Sequence, residues 1–176
     1  MKFNIQDRVV LDEMVDTFTA EMHKNQDDAE LMDKRPIITR EYWLQMIQEV
    51  QRKFFGTLYN TYQFFVLYAN VDGFKFEQAY IPVKDRPEID RWVISSLNSL
   101  VQTVTVAMDD FEPTIAGRAI ETFVDEHLSN WYVRLNRRRF WKGEMSDDKQ
   151  AAYETLHQCL MTVAKLMSPV SPFFSD

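Results

Sequence analysis

Apolar residues recur at three- and four-residue steps through most of the chain, the spacing of helices that each bury one face. From Thr39 the run Tyr42, Met46, Ile47, Val50, Phe54, Leu58, Tyr62, Phe65 and Ala69 predicts one long helix. It should end near Asn70, Asp72 and Gly73, which supply turn chemistry. The segment "KFEQAYIPVKDRPEI", residues 75–89, carries two prolines and reads as a loop lying along the surface. A second helix opens at Pro87, whose missing N–H costs nothing in a first turn, and Glu88 and Asp90 complement the positive helix end. Its stripe is Ile89, Trp92, Val93, Leu97, Leu100, Val104 and Met108. Pro113 opens a third helix with Ala116, Ala119, Ile120, Phe123, Val124 and Leu128 on one side. Ala116, Gly117 and Ala119 are small enough to admit a close neighbour.

Ser129–Gly143 forms a fourth element, and a fifth starts after an N-cap at Ser146, with Asp147 and Asp148 in its first turn. That helix carries Ala152, Leu156, Leu160, Val163 and Met167, and "SPVSP" stops it. Long amphipathic helices with short connections predict an all-α fold, an antiparallel bundle of about five helices over residues 39–176. Residues 1–38 read differently. Val9, Val10, Met14, Val15, Phe18 and Met22 suit one short helix, a polar turn follows, and Pro36 interrupts, so this stretch is an appendage without a derivable role.

Composition supports helices: Gly and Pro number only 4 and 6, while a hydrophobic share of 45% is ample for a core. The net charge of −7 is unevenly placed. Residues 1–33 hold nine acids against Lys2, Arg8 and Lys24, which leaves the rest of the chain close to neutral, so its local charge decides what it attracts. The lone Cys159 excludes an internal disulfide framework and has no metal-ligand spacing to His23, His127 or His157. His157 and Cys159 fall on different faces of one helix and read as ordinary helix residues. The amino terminus lacks a signal-type apolar region and no apolar run reaches membrane-spanning length, which points to a reduced, soluble, cytoplasmic chain. With no Gly-rich phosphate loop, metal-spaced cluster or nucleophile elbow, a self-contained active site is not expected.

One stretch departs from the near-neutral background. "SNWYVRLNRRRFWKG" holds Arg134, Arg137, Arg138, Arg139 and Lys142 with no acid among them, and threads rings between them. With Leu128 at the centre of the core face and about 100° per residue, Trp131, Tyr132 and Leu135 turn inward. Trp92 also lies on an apolar stripe, so it and Trp131 are both assigned to the core. Asn130, Arg134, Arg137 and Trp141 fall opposite, with Arg138 beside them. Guanidinium groups bind phosphates through paired donors and aromatics stack on unpaired bases, so this face suits a nucleic acid. The competing reading is a solvated face paired with Glu121, Asp125 and Glu126. Arg139 and Lys142 project toward the core side of a regular helix. Either the helix ends there or Arg139 is ion-paired inside, and the residues leave both open.

The segments "QRKFFGTLYNTYQFFVLYANVDGF", "RPEIDRWVISSLNSLV", "EPTIAGRAIETFVDEHLSNWYVRLNRRRFW" and "LMSPVSPFFSD" closely resemble the anticodon-binding helical bundle of class I isoleucyl-tRNA synthetases. The resemblance covers roughly residues 49–176, and "LSNWYVRLNRRRFW" is far more like the isoleucine enzymes than the related valine or leucine ones. It implies a bundle that packs beside a Rossmann catalytic domain and grips the anticodon stem and loop of isoleucine tRNA. The parent enzymes use ATP, with Mg²⁺, in a catalytic domain; the resemblance implies no cofactor in this chain. The HIGH- and KMSKS-type signatures and the editing domain are missing, so the chain is expected to be inactive in aminoacylation by itself. The family continues beyond "SPFFSD", which implies a bundle truncated at its C-terminal end. On the matching helix the resemblance singles out Arg134, Arg137, Arg138 and Trp141 for tRNA, with Asn130 and Lys142 on the same stretch. Arg52 and Lys53 are weaker candidates, and the competing reading makes them ordinary surface cations. No catalytic or metal-binding residue is implied. The expected partners are isoleucine tRNA and the parent's catalytic domain, with self-association possible through exposed helix faces and no membrane. The alternatives are a helical protein-interaction or oligomerisation module, and the same domain from a valine or leucine ligase.

Overall fold

The computed structural model describes residues 40–76 and 80–175, and among them every regular element is helical. The appendage over residues 1–38 and its expected helix lie outside the described residues. The chain divides into two compact units, Met1–Lys53 and Phe54–Asp176. In the first, the described helix is α1 (Arg40–Val50), on which Tyr42, Met46 and Val50 are exposed.

The π-helical segment Gln51–Phe55 straddles the boundary between the units, and α2 (Gly56–Asp72) lies in the second, each helical as the periodicity predicts. Gly73 ends α2 at φ 64°, a left-handed conformation open to glycine without steric penalty. The chain closes over this end with Phe74 N donating to Ala69 O at 2.8 Å. Leu58 and Ala69 are buried as expected, but Tyr62 is exposed and Thr61 takes the inner position. The Thr61 hydroxyl donates to Thr57 O at 2.9 Å, which satisfies its polar atom inside the packing.

The second predicted helix is α3 (Glu88–Asp109), with Pro87 immediately before its first turn. A short turn at 110–112, where Phe111 adopts φ 58°, reverses the chain into α4 (Pro113–Thr122). The third and fourth predicted elements are one helical run: α4 passes through a π-helical segment, Phe123–Val133, into α5 (Arg134–Trp141). Ala116 is buried, but a Cβ on Gly117 would meet nothing within 4 Å, so the expected close approach is not used there.

The fifth predicted helix is α6 (Asp147–Met167), capped by Ser146 Oγ, which accepts from Lys149 N at 3.3 Å. All eight residues from Lys149 to Leu156 are buried, so its first turns are enclosed rather than amphipathic. α2, α3 and α5 all pack against it. Tyr153 meets Phe74 at 4.9 Å and Phe140 at 5.1 Å between ring centroids. Val93, Leu97, Val124, Leu128, Leu156 and Val163 fill the same core, each contributing about 1.5–3 kcal/mol by burial. Cys159 lies wholly inside it, and burial pushes its thiol up to about 12, which leaves it unreactive. A final turn, α7 (Pro172–Ser175), follows.

The proline-rich connection is not simply a surface loop. Arg86 is buried, and its guanidinium bonds Glu154 at 2.8 Å, Thr155 Oγ1 at 2.9 Å and Ile81 O at 2.9 Å. Glu154 also accepts from Gln150 Nε2 at 3.0 Å and Ile81 N at 3.1 Å. This pins residues 81–86 to the enclosed part of α6.

At the end of α2, Asp72 accepts from Tyr153 Oη and pairs with Lys149 Nζ at 2.6 Å. Burial alone raises the Asp72 carboxyl, but the hydrogen bonds from Lys149 and Tyr153 and the lysine charge overcome it and hold its pKa below the ordinary value. A lowered folded pKa means stability that is present above the unfolded carboxylate value and lost as pH falls through the folded one. Urea midpoints of the wild-type chain should therefore fall as pH drops below about 4. Asp72→Asn should have a lower midpoint at neutral pH and a shallower acid decline; an unchanged decline would remove Asp72 from the account.

Candidate nucleic-acid interface

The exposed face of the Arg-rich helix is set by how the helix is wound before it. In a π-helix each N–H bonds five residues back, so a turn takes up an extra residue and the inward face recurs late. Phe123, Leu128 and Val133, five residues apart, are all buried, as are Val124 and Tyr132. From Leu128 the core positions are therefore Tyr132, Val133, Asn136 and Phe140. Regular α-helical counting places Trp131 and Leu135 inside, whereas they are 58% and 57% exposed. The core assignment of Trp131 is thus corrected by the π-helical phase. Trp92 is also corrected: it is 38% exposed on α3 and meets Trp131 at 6.2 Å between centroids.

With the buried face so placed, about 100° per residue puts Arg138 and Arg134 near the middle of the outward face of α5. Arg137 and Leu135 lie at the edges; Trp131, in the π-helical segment before α5, and Lys142, extended after it, are exposed along with them. Trp141 is 55% exposed. Among the described residues, Arg134, Arg137, Arg138 and Lys142 form no ion pair; Glu121, Asp125 and Glu126, the acids of the competing reading, do not reach them. Asn130 is exposed but partly engaged, its Nδ2 donating to Asp125 Oδ1 at 3.4 Å.

Arg139 behaves differently, and both alternatives left open by the sequence hold. α5 ends at Trp141, with Lys142 extended and exposed, and Arg139 is ion-paired inside. Its two terminal nitrogens grip Asp90 at 2.7 and 2.9 Å. Asp90 is wholly buried and also accepts from the Tyr132 hydroxyl at 2.8 Å. Arg139 further donates to Asn136 Oδ1 at 3.0 Å and to Asp148 Oδ2 at 3.0 Å. Burial disfavours the charge on Arg139, but Asp90's hydrogen bonds and charge outweigh it and raise its pKa. Burial, with the Asp90 charge, raises the Tyr132 hydroxyl and keeps it a neutral donor. This network fixes the rotation of α5 against α3 and α6. Four cations remain outside it.

Arg52 and Lys53 belong to the first unit and are described by themselves. Both are exposed, and Lys53 is paired with Glu49. Among the described residues no group of His, Cys, Asp and Glu could hold a metal ion, and no helix is long and apolar enough to cross a membrane.

Residues 90–176, which include the whole Arg-rich helix, match the family described as the anticodon-binding domain of tRNA ligase. An isoleucine–tRNA ligase of Bacteroides thetaiotaomicron is 62% identical over 130 residues, 74% of this chain and 11% of that protein. One from Porphyromonas gingivalis is 63% identical over the same length and shares. One from Thermus thermophilus is 45% identical over 141 residues, 80% of this chain and 13% of the ligase. The chain spans about a tenth of the length of the curated relatives it matches. The fold, the family match and these identities agree on an all-α anticodon-binding domain of the tRNA-ligase type, similar to the corresponding segment of isoleucine–tRNA ligases.

Proposed function

We propose that the exposed face of α5 binds the anticodon arm of an isoleucine-accepting tRNA, as part of a ligase that charges that tRNA in the cytoplasm. The observation that carries this reading is the set of four exposed cations, Arg134, Arg137, Arg138 and Lys142, none of them ion-paired among the described residues. A cation without an internal partner is free to exchange its counterion for a phosphate, which gives salt-dependent affinity. Guanidinium groups add paired donors that match phosphate oxygens. Trp141 offers an exposed ring and Asn130 an amide, and base identity is read where bases are unpaired, in the loop. ATP and Mg²⁺ chemistry belongs to the catalytic domain of the parent ligase, the other partner of this bundle.

The test is a titration of the chain with isoleucine tRNA across salt concentrations. Replacing Arg134, Arg137 and Arg138 together by alanine should lower affinity about tenfold or more at low salt and reduce the salt slope by about 2–3. The thermal midpoint should be unchanged, because these side chains are exposed. Wild-type affinity and slope in the triple variant would refute the assigned face, and equal binding of valine tRNA would refute the isoleucine assignment.

A further inference from the structure

We propose that Trp131 and Trp92 form a stacking platform for an unpaired nucleobase of the RNA held on the adjoining guanidinium face. The proposal rests on the tRNA-binding reading above and adds a second kind of contact to it. The π-helical phase turns Trp131 outward beside Trp92, and the two ring planes are tilted by 50° rather than stacked, so they do not cover one another. The platform is anchored from behind. Trp92 meets His127 edge-on at 5.6 Å, and His127 meets the buried Phe123 edge-on at 5.9 Å. Rings held in this way lose little freedom when a ligand covers them, which favours binding.

The occupant follows from the surroundings. Arg134 and Arg138 lie three and seven residues beyond Trp131 in the same helical run, and all three side chains are exposed. A protein partner covering two indoles would have to desolvate those unpaired cations, and charged residues are depleted at the centres of protein interfaces. Single-stranded RNA needs both features together, a ring for each base and a cation for each phosphate. A closed duplex keeps its bases within its own stack and cannot use the platform.

The experiment compares the full chain with its Trp131→Leu, Trp131→Phe and triple-arginine variants, each binding isoleucine tRNA, a short single-stranded oligouridine and a blunt RNA duplex. Trp131→Leu should weaken the tRNA and the oligouridine about tenfold, within the range that base–aromatic stacking supplies. It should leave the duplex affinity and the salt slope unchanged, and Trp131→Phe should restore most of the loss. If Trp131→Leu binds oligouridine like the wild type while the triple-arginine variant is weakened, the platform is wrong and the guanidinium face stands. If neither variant alters RNA binding, the tRNA reading fails and the platform with it. If Trp131→Leu leaves RNA binding intact but converts a dimer to a monomer in sedimentation, the rings serve a second copy of the chain and the proposal is overturned.

Discussion

Replacing Glu154 by alanine is expected to cost about 3–5 kcal/mol of folding stability, the loss typical of breaking a buried ion pair from one side. The Arg86 and Glu154 side chains are 0% and 2% exposed, so the stranded guanidinium has no water to turn to. Ile81 N and Gln150 Nε2 lose their acceptor in the same step. Urea unfolding at constant pH should show a large fall in midpoint with the slope retained. The paired apolar replacement, Arg86→Met with Glu154→Leu, should lose far less than the single change, because it removes both charges rather than orphaning one. A single variant within about 1 kcal/mol of wild type, on the scale of an ordinary net hydrogen bond, would show that solvent reaches this site.

Asp90→Ala should destabilise the bundle on the same scale, about 3–5 kcal/mol, by stripping both Arg139 and Tyr132 of their shared acceptor. Asp148 tempers the loss, since it still meets Arg139 at 2.9 Å and is itself half exposed. The effect should be read by thermal and urea unfolding together. RNA binding under conditions where the variant remains folded should keep its salt slope, because Arg139 lies outside the exposed set. A reduced slope in the folded variant would make Arg139 or Asp90 part of the RNA contact instead.

These two sites explain how a near-neutral bundle keeps a basic face. Asp90 is committed to Arg139 and Tyr132, Asp148 to Arg139, Asp72 to Lys149 and Tyr153, and Glu154 to Arg86. These four carboxylates are therefore occupied, and Arg134, Arg137 and Arg138 are left to solvent. Overall charge says little about such a surface; the allocation of partners decides it.

The helices were legible in the chain because their signals are local. Three- and four-residue apolar steps, Pro87 and Pro113 at helix starts, Ser146 as a cap and Gly73 at a left-handed end all act within a turn or two of the residues they govern. The outward placement of Arg134, Arg137 and Arg138 was legible for a related reason: a hydrated guanidinium needs no particular neighbour to stay outside. Trp131 and Leu135 were not, since counting at 3.6 residues per turn presumes a winding that the segment Phe123–Val133 does not have. The five-residue recurrence of Phe123, Leu128 and Val133 is the signal that could have shown it.

By itself, then, the sequence determined an all-α bundle, the ends of its helices and a basic helix face. Its likeness to the isoleucine ligases pointed to the same bundle. Tertiary structure decided which rings share that face and which charges are withdrawn from it. Arg139 meets Asp90 across 49 residues of chain and Arg86 meets Glu154 across 68. Such pairs exist only once the core has brought distant helices together, because a charge leaves water only where a fixed partner is already waiting.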